Sequence, residues 1–115
     1  MSEEEKKAAG ISPPVQGLIF NRATSGTAAA LDLSAYVGRF VTVAARTTEL
    51  FVMCGSTSAL ADDLDDTATT GANQCFPVPA GTSISFIVSG AYPFLGYKTA
   101  SAAGFVVVAV TSARI

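Results

Sequence analysis

The 115-residue chain has no histidine, no tryptophan, only two cysteines and few charges. Without histidine, the commonest general base and the commonest zinc ligand are missing. Charged residues make up 14% of the chain, where about 25% is ordinary. Beyond the first seven residues, six acids (Asp32, Glu49, Asp62, Asp63, Asp65, Asp66) stand against five bases (Arg22, Arg39, Arg46, Lys98, Arg114), and the bases form no run or stripe. Neutralising a phosphate backbone needs clustered cations, so nucleic acid is not an expected partner. A membrane helix needs roughly 18 apolar residues in a row. The closest stretch here, Gly104–Val110, is far shorter, so no membrane partner is expected. Half of the residues are hydrophobic, which excludes disorder for most of the chain.

The length is that of one domain, and folding buries about 65% of the surface of a chain this size. A core is therefore possible without a disulfide or a metal. From Val15 onward, short runs rich in Val, Ile, Phe and Thr alternate with Gly, Pro, Ser and Asn, the pattern of strands and turns. Strands are expected near Val15–Asn21, Ala28–Leu33, Arg39–Arg46, Leu50–Cys54, Gln74–Val78, Ser83–Ser89, Pro93–Tyr97 and Phe105–Ser112. In Ser83–Val88, Ile84, Phe86 and Val88 share one face, and Ser83, Ser85 and Ile87 the other, as in a half-buried strand. Phe105–Val110 is apolar on both faces. Such a strand is expected to be covered twice, by a second layer or by another chain. Turn signals at Gly26, Gly38, Gly55, Gly81, Gly90 and Gly104 fit a sandwich or small barrel. The expected fold is all-β: a β-sandwich, jelly-roll-like, or a small barrel of about eight short strands. Helix is scarce; the best candidate is Ser58–Asp66, capped by Ser58 with Leu60 and Leu64 at i and i+4. A polar loop with one helical turn is the equal alternative, because the aspartates crowd the end where the macrodipole disfavours anions.

Residues 1–14 read as an extended N-terminal arm and residues 15–115 as a single β domain. The start, MSEEEKKAAG, has acids first and no apolar segment after them, unlike a signal peptide. Pro13 and Pro14 stop any helix and force an extended lead into the domain. The plain reading of the arm is a short helix on its own domain; the sharper one is that a partner subunit holds it.

Each candidate for chemistry meets a plainer alternative. Asp62, Asp63, Asp65 and Asp66 are the only dense charge, and clustered carboxylates suit calcium. No Gly occurs between them and Gly71, and no Glu follows Glu49. A solvated acidic loop fits better, with a rim patch for a neighbour's bases as a third reading. Cys54 and Cys75 bracket the loop from Gly55 to Gln74. A disulfide closing it would contribute on the order of 3 kcal/mol; two buried thiols acting as small hydrophobes is the plainer reading. Ser and Thr total 23, but a serine with no positioned base has nothing to take its proton. No catalytic, cofactor-binding or metal-binding residue is expected, and the chain does not read as an enzyme. Tyr36, Tyr92, Tyr97 and Phe94 are candidates for a sugar platform, hence for a carbohydrate-binding β-sandwich module; core filling is the plainer role.

What must cover the outside is more telling. Ala, Ser, Thr and Gly supply 53 of the 115 residues, while a soluble monomer typically carries about 25–35% charged residues on its surface. Small residues let sheets approach closely, and low charge removes the cost of burying ions. Much of this surface is therefore expected to meet other protein chains, with copies of itself as the readiest partners.

Four segments carry a resemblance: Gly38–Ala45 (GRFVTVAA), Leu50–Ser58 (LFVMCGSTS), Pro77–Ser83 (PVPAGTS) and Phe94–Val108 (FLGYKTASAAGFVVV). In these the chain resembles the small β-rich accessory proteins of tailed bacteriophage virions. The resemblance implies a structural virion role: a decoration or cement protein that binds the capsid shell and bridges its subunits. Its implied partners are the major capsid protein and further copies of itself, as a trimer. Its implied location is the capsid surface of the virion, after assembly in the host cytoplasm. A head-to-tail connector, tail or fibre component is the alternative within the virion. The contacts are expected on the arm, at Glu3, Glu4, Glu5, Lys6 and Lys7, then at Ile11, Pro13 and Pro14. On the domain they are expected at Tyr92 and Phe94.

Overall fold

The computed structural model describes residues 15–100 and 103–114. The expectations for the arm, residues 1–14, lie outside the described residues. Every stretch read as a strand is one: β1 (Ile19–Thr24), β2 (Ala29–Asp32), β3 (Arg39–Ala45), β4 (Leu50–Gly55), β5 (Phe76–Val78), β6 (Ser83–Ile87), β7 (Phe94–Lys98) and β8 (Gly104–Arg114). β1 starts four residues later than expected because Val15–Leu18 forms a turn, closed by Leu18 N–H donating to the Val15 carbonyl at 3.0 Å. Gly17 supplies the positive φ of 84° that this turn needs.

The strands form two four-stranded sheets in the orders β1-β8-β3-β6 and β2-β7-β4-β5. All pairings are antiparallel. This interleaved order is that of the eight-stranded jelly roll, a double-sheet sandwich. Alternation along the strands makes the core. Val41, Val43, Val106, Val108 and Val110 face inward from the first sheet, and Leu50, Val52, Val78, Leu95 and Tyr97 from the second; all are at most 5% exposed. Each buried aliphatic side chain contributes about 1.5–3 kcal/mol to holding the sheets together.

The β1 start, the β2 end, the β4 end and the β6–β7 connection gather at one end of the sandwich. There the Leu33 N–H donates to the Pro93 carbonyl at 2.9 Å, Gly38 N–H to Val88 at 3.0 Å and Val110 N–H to Leu18 at 2.8 Å. Phe20 and Tyr36 pack ring against ring at 5.9 Å between centroids. The other four connections close the far end, where the Thr99 N–H donates to the Ser25 carbonyl and the Gly81 N–H to Ala45.

The long β4–β5 connection contains one helical turn, α1 (Ser58–Ala61). Its cap is Thr57, not Ser58: Thr57 Oγ1 accepts from the Leu60 N–H at 3.2 Å. The helix ends at Ala61, so the i, i+4 relation of Leu60 and Leu64 does not form. Leu64 is 4% exposed and Leu60 is 55% exposed.

Candidate assembly surfaces

β8 runs through the interior of the first sheet, and its two faces have different fates. Val106, Val108 and Val110 point into the core, while Phe105 on the other face is 49% exposed, with Val107 and Ala109 half-buried. The strand is covered once by the second sheet; among the described residues no layer lies on its outer face. Register extends this face sideways: Ile19 and Thr42 flank Ala109, and Asn21 and Ala44 flank Val107. On the β6 edge Ile87 pairs with Phe40, and Thr42 and Ser85 share a hydroxyl hydrogen bond of 2.9 Å. Ile19 and Ile87 are 42% and 50% exposed. Among the described side chains of this face the only charge is Arg46, whose guanidinium lies 5.7 Å from the Phe105 ring centroid.

The second sheet is different, because the acidic connection folds over its outer face as a third layer. Ala61 is fully buried against it and Leu64 nearly so. The layer fits because β7 has Gly96 beneath it: a Cβ there would overlap the Ala61 carbonyl. Gly55 makes a similar allowance, since its Cβ would come within 2.6 Å of the Ala61 nitrogen. Lys98, also on β7, reaches up to Asp66 Oδ1 at 2.6 Å.

The four aspartates therefore act separately. Asp66 pairs with Lys98. Asp65 Oδ1 accepts from the Thr67 N–H at 2.9 Å and the Thr67 hydroxyl at 2.8 Å, and the backbone and side-chain bonds to Thr67 hold its carboxyl below the usual range. Asp62 and Asp63 are exposed. Among the described residues no three acids, cysteines or histidines gather in a metal-binding group.

The cysteines flank neighbouring strands, yet both thiols are free. The pairing Val52↔Phe76 sets Cys75 level with Met53, so strand parity turns it away from Cys54. The Cys75 thiol instead approaches the Asp65 carbonyl at 3.6 Å. Cys54 is exposed and Cys75 intermediate, which corrects the expectation of two buried thiols. Desolvation raises both thiols above their ordinary range, helped at Cys75 by the Asp66 carboxylate; a protonated thiol is a poor nucleophile.

The aromatic residues do not form one platform. Tyr97 is in the core, Tyr36 packs on Phe20 under the Arg39 guanidinium, and Phe94 is half-buried on β7 between Asp32 and Gly55. Tyr92, 56% exposed, borders a groove of about 200 Å³ with Leu60, Cys54, Asp63 and Asn73. Of the expected contact residues, Tyr92 and Phe94 thus lie near the same end of the sandwich but in different surroundings, and the arm residues lie outside the described residues. Ile19, Ile87 and Leu60 were not singled out by the sequence. Ile87 carried a signal, as the one large apolar residue on the serine face of its strand.

Strand order and register define the class: an eight-stranded jelly-roll β-sandwich. No protein-family model and no curated protein matches the chain. Among solved structures, a protein of Bacillus endospore appendages, described as a novel family of disulfide-linked pili, aligns with 82% of this chain and 84% of its own, at 15% identity and a TM-score of 0.42. The dTDP-6-deoxy-D-glucose-3,5-epimerase of Legionella pneumophila Philadelphia 1 aligns with all of this chain and 58% of its own, at 15% identity and a TM-score of 0.44. At these scores the fold rests on the strand order itself.

Proposed function

We propose that the protein is a structural subunit that acts by packing against other protein chains, and specifically a decoration or cement protein of a phage capsid. The observation that carries the packing role is the outer face of the β1-β8-β3-β6 sheet, where Ile19, Ile87 and Phe105 are exposed around an apolar strand. Apolar surface of this kind, with a single cation and no acid among its described side chains, favours a protein partner over water. The capsid role adds the sequence resemblance to this surface. Copies bridging shell subunits would join them through such faces, and closed rotational symmetry, as in a trimer, satisfies each copy equally.

Light scattering over a range of concentrations tests the packing role. We expect oligomers, and we expect Val107→Lys combined with Ile87→Lys to dissolve them without loss of fold. A wild-type chain that stays monomeric at high concentration overturns this reading. Antibody labelling of particles in electron micrographs tests the site: label over the whole shell supports decoration, and label at one vertex or along the tail supports the connector, tail or fibre alternative.

A further inference from the structure

The groove beside Tyr92 is a second, separate apolar feature. It lies at one end of the β2-β7-β4-β5 sheet, between the end of β4, the third layer and the β6–β7 connection. Its exposed large apolar walls are Leu60 and Tyr92, at 55% and 56%. Asp62 and Asp63 are exposed next to Leu60. The groove is thus aromatic and aliphatic inside and acidic on one rim.

We infer that this groove receives the segment Ile11–Pro14 of a second copy of the chain, with Lys6 and Lys7 of that same copy meeting Asp62 and Asp63. The chemistry matches on three counts. Proline-rich stretches are pre-extended and dock on aromatic-lined grooves at low entropic cost; Pro13 and Pro14 are such a stretch, and Tyr92 is the exposed ring. Ile11 supplies an aliphatic side chain for Leu60. Lys7 is four residues before Ile11, at most about 13 Å away, so with Ile11 on Leu60 its ammonium can reach the adjoining acidic rim.

The occupant comes from another copy because the chain's own prolines do not reach. Pro14 adjoins Val15, which leads into β1 on the edge of the opposite sheet. Two residues span at most about 7 Å. Packed sheets are about 10 Å apart and neighbouring strands about 4.8 Å, and the groove sits at the end of β4, in the other sheet and two strands in from its β2 edge. Val15 and the groove sit at the same end of the sandwich.

The inference rests on the reading that copies assemble, and disulfide trapping separates the two, because Cys54 lines the groove. The full chain carrying Pro13→Cys is treated with copper–phenanthroline and run without reductant. We expect bonded dimers and a ladder, lost when Cys54→Ser is added and kept when Cys75→Ser is added. Tyr92→Ala should slow bonding several-fold, as should Leu60→Asp. A bond closed within a single chain overturns the inference. So does the absence of any Cys54-dependent bond while light scattering still shows oligomers, and in that case the assembly reading stands. A chain that is monomeric throughout overturns both.

Discussion

The Lys98 ammonium lies 2.6 Å from Asp66 Oδ1, and their side chains are only 11% and 15% exposed. This pair fastens the third layer to β7. Removing one partner leaves the other nearly buried and uncompensated. We expect Asp66→Asn to destabilise the fold by about 1–3 kcal/mol, between the exposed and fully buried limits for such pairs. The midpoint of urea unfolding measures it. Adding Lys98→Met should recover much of the loss.

Gly96 allows the same layer to approach. Gly96→Ala drives a Cβ into the Ala61 carbonyl, and overpacking of this kind costs about 1–3 kcal/mol. The expected readout is specific: limited proteolysis should cut between residues 56 and 75 well before the rest of the domain. Cleavage as slow as in the wild type would mean that the layer does not depend on this contact.

Thr24 Oγ1 is buried with no hydrogen-bond partner. An unsatisfied buried hydroxyl costs about 1–3 kcal/mol, whereas an apolar group of the same shape carries no such penalty. Thr24→Val should therefore leave stability unchanged or raise it, while a cavity-forming Thr24→Gly should lower it. Thermal unfolding of the two variants decides.

Hydrogen bonds from Ser34 and Thr67 hold the Asp32 and Asp65 carboxyls below their ordinary range. A depressed carboxyl contributes stability above its unfolded value of about 3.9, and that contribution is lost as pH falls through the lower folded value. Asp32 is exposed and Asp65 half-buried at the surface, so the effect is small. We expect Asp65→Asn to flatten the fall in unfolding midpoint below about pH 4 and to leave the neutral region parallel to wild type.

The strands were legible because their signal is local. Runs such as Ser83–Val88 alternate on their own, and Gly or Pro marks the breaks. The third layer was not, since it depends on Gly96 and Lys98, thirty or more residues after the segment they hold. A glycine inside a strand does signal close backbone approach, but not by which segment. That the cysteines stay free was the plainer reading; their exposure escaped it for a related reason, because which way each thiol faces depends on the realised register of β4 and β5. For β8 the sequence showed two apolar faces, and only the arrangement of layers told which one the described residues leave uncovered.

Among the described residues one sheet is roofed and the other bare, so the molecule has a front and a back. Copies joined through the bare side would all turn their roofs outward, and a layer built of them would keep the groove beside Tyr92 open to whatever approaches from without.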